Sequence, residues 1–170
     1  GDIHNVRVTW RENDARLFFD KTLGTDTEVQ ILADGDMEAA GTSAWTSTTA
    51  TLTKEPGARD GGSGAQILRS VNTSANGSVY QIVLTGGTAY RMSGWARSDG
   101  IAVPRVFDGS GTVHWTGTAS TDWQHFDVFS EAGASSTFRL QAIGAIGTYC
   151  DWDDVVVAEV VNHPADDQLP

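Results

Sequence analysis

The hydrophobic pattern of the chain is that of many short strands. Apolar and polar residues alternate in brief stretches separated by Gly, Asn, Asp and Ser, and no stretch has the spacing of an amphipathic helix. Strands are predicted at residues 3–10, 29–32, 45–53, 65–71, 78–84, 89–97, 101–107, 113–116, 123–129, 137–143 and 148–161. Short strands at such regular spacing predict an all-β sandwich or barrel.

The same pattern divides the chain into three parts. Residues 1–28 carry one alternating strand, a polar turn, a short strand or helical turn at residues 16–19 and a polar linker, which predicts an N-terminal arm or the remnant of a preceding β domain. Residues 29–161 hold the regular strands, and residues 162–170 form a polar tail. Because the sequence starts at a glycine rather than a methionine, we expect a processed or excised piece. Contacts with neighbouring domains or subunits are expected through residues 1–28.

Composition limits the classes of partner. The chain has 170 residues, enough for one domain with a sizeable core, and its formal net charge is -11. That charge argues against nucleic acid or an anionic membrane as a partner. The sequence has no apolar run of about 18 residues, so membrane insertion is not predicted. The only cysteine is Cys150, so no intrachain disulfide is expected.

The stretch at residues 149–157 combines a strand signal with negative charge. Its β-branched run predicts a strand, yet Asp151, Asp153 and Asp154 sit inside or beside it. Burial of ionised carboxylates is costly unless something compensates the charge. A cation, a hydrogen-bond network or a solvated rim would each do so.

Strict alternation through this stretch predicts which side chains share a face. If Val155 and Val157 face the core, Asp153 lies on their side, while Asp154 lies with Trp152 on the other. The interpretation is that Trp152 and Asp154 point away from the core, and that the core-side Asp153 needs a partner.

The strand at residues 89–97 predicts an aromatic surface. Its outward positions include Arg91, Trp95 and Arg97, a mixed aromatic and cationic set. Sugar rings stack on aromatic faces while a few polar groups bond the hydroxyls, so this surface is typical of a carbohydrate site. The further candidates for this site are Gln81, Arg105, Phe107, Trp115 and Gln141. The alternative is that Trp95 and Trp115 pack beneath a neighbouring strand or against another subunit.

No catalytic motif stands out. The chain has no nucleophile elbow, no zinc-protease helix motif and no phosphate-binding glycine loop ahead of a helix. Asp153 and Asp154 are adjacent, so on a strand they point apart and cannot flank one glycosidic bond. The chain is therefore expected not to be an enzyme.

Several segments taken in order resemble the jelly-roll carbohydrate-binding modules of the xylan- and cellulose-binding type, within the galactose-binding-like superfamily. They are residues 31–38, 58–64, 79–83, 88–97, 122–124 and 152–155. The resemblance covers residues 29–161 and implies a two-sheet antiparallel jelly roll. It implies a non-catalytic polysaccharide- or glycan-binding module of an extracellular or surface-exposed protein, whether secreted, on a cell or on a virion. Since the superfamily also includes virion surface parts, the alternative is a structural subunit without sugar binding.

The resemblance also implies a structural calcium ion. Its ligands would come from Glu38, from Asp60 or a carbonyl near Gly62, and from Asp153 or Asp154, with Asp153 favoured. Calcium takes six to eight oxygen ligands from carboxylates and backbone carbonyls, and these residues supply both. The alternative is that the late aspartates are solvated rim carboxylates.

Overall fold

A computed structural model describes residues 7–11, 16–20, 29–59, 61–62, 64–131 and 135–160 of the chain. Within those residues, no helix is long and apolar enough to cross a membrane. The strands are β1 (Arg7–Arg11), β2 (Arg16–Asp20), β3 (Thr46–Thr48), β4 (Ala50–Pro56), β5 (Gln66–Asn72), β6 (Ser78–Ile82), β7 (Ala89–Ser98), β8 (Val103–Asp108), β9 (Val113–Thr116), β10 (Gln124–Glu131), β11 (Thr137–Ile143) and β12 (Tyr149–Glu159).

Ten of these strands build two five-stranded antiparallel sheets. Sheet I has the order β10-β7-β12-β5-β4, and sheet II has the order β3-β6-β11-β8-β9. The predicted all-β sandwich is confirmed. Strands β1 and β2 pair with each other as an antiparallel hairpin that belongs to a separate compact unit.

The core lies between the two sheets and follows the predicted alternation in the central strands. In β7, Tyr90, Met92 and Ala96 are buried, while Arg91 and Trp95 lie on the outer face and are half-buried. Full burial of a large apolar side chain contributes about 1.5–3 kcal/mol, so this alternation fixes which face of each strand points inward. From sheet II the core receives Val79, Val106, Phe138 and Leu140.

The predicted strand at residues 29–32 is replaced by a single bridge between Gln30 and Ala158. The Gln30 side chain occupies the edge of β12 instead: its Oε1 accepts the N–H of Val157 at 2.9 Å, and its Nε2 donates to the carbonyl of Val155 at 2.7 Å. A side chain thus makes the hydrogen bonds that a strand partner would otherwise make.

The predicted strand at residues 45–53 divides into two. Thr49 has a φ of 54°, a left-handed conformation that ends β3 and starts β4. The two halves then pair in different sheets, β3 with β6 and β4 with β5. Residues 46–56 therefore carry the chain from sheet II to sheet I.

A β-bulge in β12 overturns one prediction. The pairing of β12 with β7 shifts between Asp153 and Val156, and Asp154 adopts a φ of 47°. This adds a residue to one strand, so the side-chain alternation changes phase across it. Trp152 is 0% exposed and lies in the core with Val155 and Val157. The expectation that Trp152 points away from the core, and that Asp153 shares the side of Val155, is wrong.

The bulge is held by the loop that precedes β3. The N–H of Val155 donates to the carbonyl of Gly35 at 2.7 Å. A Cβ on Gly35 would lie 2.2 Å from the Val155 carbonyl oxygen, so only glycine allows this approach. The carboxylate of Asp34 in the same loop bonds Lys54 of β4 at 2.6 Å, and both side chains are buried.

Deletion of Asp154 tests the bulge. Without the extra residue, either Trp152 or the pair Val155 and Val157 must leave the core, and we expect loss of most of the folding free energy. The matched substitution Asp154→Gly keeps the residue count and suits a positive φ, so it should cost no more than about 1 kcal/mol. Chemical denaturation of both variants measures the difference in the free energy of unfolding. A calcium chelator is present throughout, because Asp154 is also a predicted calcium ligand. Equal stability of the two variants would contradict the proposed role of the bulge.

Candidate functional site

The outer face of sheet II carries a row of aromatic and cationic side chains. Phe107 on β8 pairs with Arg139 on β11, and Arg139 pairs in turn with Tyr80 on β6. The Arg139 guanidinium carbon lies 4.9 Å from the centroid of the Tyr80 ring and 5.8 Å from that of Phe107. We call Tyr80, Arg139 and Phe107 the aromatic–arginine row. Three adjacent strands place it at the middle of the sheet.

A second, polar row runs beside the first. Gln141 on β11 pairs with Arg105 on β8, which pairs with Thr116 on β9. The Gln141 amide donates to the carbonyl of Asn76 at 3.0 Å, which holds this side chain in place. Arg105 is thus a diagonal neighbour of Arg139 on the same face.

The guanidinium groups on this face have incomplete hydrogen bonding. The Nε atoms of Arg105 and Arg139 are buried and have no hydrogen-bond partner in the described part of the chain. On the same face Ile82, two residues after Tyr80, is 71% exposed. An open face that combines aromatic rings, an exposed apolar side chain and directed donors is suited to contact a ligand.

The outer face of sheet I carries a different surface, around Trp95. The ring of His125 lies 4.7 Å from that of Trp95, and the Arg59 guanidinium lies 4.8 Å over the Trp95 ring. The Arg97 guanidinium lies 4.7 Å over Trp123. Clefts of about 710 Å³ and about 460 Å³ flank Trp95. Trp95 and Arg97 are therefore together, as predicted, on a partly open face.

The arginines of sheet I are held by carboxylates. Asp151, 1% exposed, accepts from Arg69 Nε at 2.7 Å and from Arg97 Nε at 3.0 Å. The hydrogen bond to Asp151 raises the pKa of Arg69. Arg91 forms a two-pronged pair with Asp127, and these hydrogen bonds hold the pKa of the Asp127 carboxyl below its ordinary value. These arginines compensate the charge of carboxylates on the same sheet, so part of their hydrogen-bonding capacity is already used within the protein.

The structure separates the residues predicted for one sugar site. Arg105, Phe107 and Gln141 lie together on sheet II, whereas Trp95 and Arg97 lie on sheet I. Their predicted grouping on one face is wrong. Strand alternation gives the face of a residue within its own sheet, but the sheet to which each strand belongs is decided by long-range pairing.

Two further predicted positions are corrected. Gln81 is 8% exposed on the inner phase of β6, and its amide bonds both the N–H and the carbonyl of Ala33, so it does not join the surface of Trp95. Trp115, a predicted sugar contact, lies on β9 and packs against the core, with its ring 5.2 Å from that of Phe126.

The aspartates of β12 are compensated by hydrogen bonds. Asp153 is 2% exposed, and its two oxygens accept the N–H groups of Arg59 and Asp154, each at 2.9 Å. Burial raises the pKa of the Asp153 carboxyl. The Asp154 carboxylate lies 2.6 Å from Arg59 Nε. The alternative of solvated rim carboxylates is therefore wrong for Asp151 and Asp153.

The predicted calcium ligands surround the loop between β4 and β5. Glu38 Oε1 accepts the N–H groups of Ala65 and Gln66 at 2.8 and 2.9 Å, at the end of the loop opposite to Arg59. Gly62 lies in the loop, and Asp60 lies outside the described residues. Within the described part of the chain, no three His, Cys, Asp or Glu side chains cluster around a common point that could hold a metal ion. The described carboxylates alone do not complete a calcium shell, which would also need loop carbonyls and Asp60.

Sequence reasoning missed Tyr80 as a site residue. Its signal was available, because Tyr80 is in phase with the exposed Ile82 on β6 and out of phase with the buried Val79 and Gln81. Arg59, Trp123 and His125 were also missed on sheet I. Their contacts with Trp95 and Arg97 come from separate loops and strands, which no local pattern reveals.

Similar folds occur among solved structures. The chain matches a family 16 carbohydrate-binding module at 15% identity and a TM-score of 0.54, over 76% of this chain and 99% of that one. It matches the tandem CBM22-1-CBM22-2 domain of Paenibacillus barcinonensis Xyn10C at 16% identity and a TM-score of 0.56, over 83% and 50%.

A third match is the enzymatically active domain of tailspike protein 4 from bacteriophage CBA120, at 11% identity and a TM-score of 0.55. It covers 77% of this chain but only 21% of the tailspike chain. No protein-family model and no curated protein matches the sequence. At these identities the likeness shows the fold alone, and the fold is the jelly-roll sandwich of carbohydrate-binding modules.

Proposed function

We propose that the chain binds a polysaccharide, without catalysis, through the outer face of sheet II, and that it serves an extracellular or surface-exposed protein. The observation that carries the proposal is the aromatic–arginine row, in which Tyr80 and Phe107 flank Arg139 across three adjacent strands. The carbohydrate-binding modules that share the fold support the same reading.

The chemistry of the face suits a sugar chain. Tyr80 and Phe107 offer rings for stacking against the C–H faces of pyranose units, and Ile82 extends the apolar surface. Gln141 supplies a donor for hydroxyl groups, and the guanidinium groups of Arg105 and Arg139 supply charged donors for the oxygen atoms of a sugar chain. Because the row crosses the strands, a glycan would run across sheet II rather than along one strand.

The first test is truncation of one ring. Phe107→Ala should weaken polysaccharide binding about two- to tenfold, since an aromatic contact contributes about 0.5–1.5 kcal/mol. Binding is measured by affinity electrophoresis and calorimetry, with a ligand chosen by screening a glycan array and insoluble xylan, β-glucan and galactan.

Trp95→Ala is the matched control, because it removes a half-buried ring from sheet I. It should leave the affinity unchanged. Loss of binding in Trp95→Ala but not in Phe107→Ala would move the site to sheet I. Absence of binding to every glycan, with both variants folded, would refute the proposed function.

A second candidate is a structural subunit of a larger assembly. The fold likeness to a part of a tailspike chain, and the β1–β2 hairpin as a unit of its own, favour it. Analytical ultracentrifugation together with the glycan screen separates the two candidates. The structural subunit predicts stable oligomers in a protein that binds no sugar, whereas the binding module predicts retention on a glycan whatever its oligomeric state.

We also propose that a bound calcium ion stabilises the loop between β4 and β5. Glu38 and Asp153 already hold the two ends of this loop through backbone N–H groups, and the buried Asp153 carboxylate would gain from a nearby cation. Loop carbonyls and Asp60 would complete the shell of oxygen ligands.

Chelation tests the calcium proposal. Removal of calcium should lower the melting temperature by about 5 °C, because an ion that binds only the folded state adds its binding free energy to stability. Glu38→Gln should abolish the response to calcium. Asp127→Asn, which removes a carboxylate from an ion pair elsewhere on sheet I, should retain it. Identical melting curves of the original chain with calcium and with chelator would refute the site.

A further inference from the structure

The charges on sheet II point to the class of glycan. We propose that this face recognises an acidic polysaccharide, one whose sugar units carry carboxylate groups, and that Arg105 and Arg139 bind those carboxylates. This inference rests on the proposed polysaccharide binding and adds to it the chemistry of the ligand.

Arg105 and Arg139 differ from the other cations of the sandwich. Every other lysine and arginine between residues 29 and 160 has a carboxylate within 4 Å: Lys54 with Asp34, Arg59 with Asp154, Arg69 and Arg97 with Asp151, and Arg91 with Asp127. Within the described residues, neither Arg105 nor Arg139 forms a salt bridge. The contrast is pronounced because the chain has 22 acidic and 11 basic residues.

The surroundings of the two arginines leave their charge uncompensated. Asp108 is the only acidic residue on the strands of sheet II, and it is 0% exposed and in phase with the buried Val106. The outward positions around the two arginines include Tyr80, Ile82, Phe107, Gln141 and Thr116. Diagonal neighbours on paired strands lie about 7–8 Å apart, so the two like charges also repel each other. A bound anion would relieve this repulsion.

The geometry favours carboxylate over hydroxyl as the partner. Tyr80 and Phe107 flank the Arg139 guanidinium and restrict its rotation, and its Nε is covered. The terminal nitrogens are then the donors left for a ligand, and their planar fork matches the two oxygens of a carboxylate. One guanidinium from each row suits successive acidic units of a polymer that crosses the sheet.

The net charge of the chain makes the test specific. With a formal charge of -11, the molecule as a whole repels a polyanion, so attraction must come from a local site. Polygalacturonate and the neutral galactan made by reducing its carboxyl groups form a matched pair of probes. The full chain should bind polygalacturonate at least tenfold more tightly, and raising the salt concentration from 50 to about 300 mM should weaken that binding.

Substitutions test whether the preference for polygalacturonate comes from the two arginines. Arg105→Gln and Arg139→Gln should each weaken polygalacturonate binding about tenfold and reduce its salt dependence, with little effect on any residual binding of the reduced polymer. Arg91→Gln, on sheet I, is the control and should bind like the original chain. Circular dichroism confirms that each variant is folded.

The outcomes distinguish the two levels of the proposal. Equal or tighter binding of neutral polysaccharides, unaffected by the arginine substitutions, would overturn the acidic specificity and leave polysaccharide binding standing. If dextran sulfate binds as tightly as polygalacturonate, the proposed specificity for carboxylate groups is also overturned, since the face would then attract any dense polyanion. Absence of binding to neutral and acidic polymers alike would refute the proposed function itself.

Discussion

The bulge at Asp154 is the constraint on which the sandwich depends. β12 runs through the middle of sheet I and must present apolar side chains to the core on both sides of the bulge, although Trp152 and Val155 are three residues apart. One extra residue in a left-handed conformation reconciles that spacing with the period of a strand. The loop at Gly35 and the amide of Gln30 then make the hydrogen bonds that the interrupted ladder leaves open.

The two outer faces handle charge in opposite ways. On sheet I, Asp151 is buried between Arg69 and Arg97, so removing Asp151 would leave two neighbouring guanidinium groups without the carboxylate that they share. On sheet II, Arg105 and Arg139 have no carboxylate within 4 Å among the described residues, and Arg139 is flanked by the rings of Tyr80 and Phe107 instead. The first arrangement ties neighbouring strands of one sheet together. The second leaves donors directed outward, which is what a ligand requires.

The sequence predicts local structure well and long-range pairing poorly. Alternation in β7 correctly places Met92 inward and Trp95 outward, since burial of one face dominates the energetics of a strand. It fails at Trp152, because a single bulged residue inverts the phase and leaves no signal in composition. It also fails to show that Phe107 and Trp95 belong to different sheets, since strand partners are chosen by contacts far apart in sequence. The sequence therefore predicts which side chains face outward, but not which of them lie together on one sheet.

The energetic cost of the sheet II face argues for its function. Two diagonal guanidinium groups without carboxylates, with buried Nε atoms that lack partners, reduce the stability of the isolated domain. An exposed Ile82 adds an apolar side chain that folding does not bury. Every other described lysine and arginine of the sandwich has a carboxylate within 4 Å, so the cations without a carboxylate are concentrated on this one surface. Local inconsistency of that kind is typical of a surface shaped for a ligand rather than for the fold.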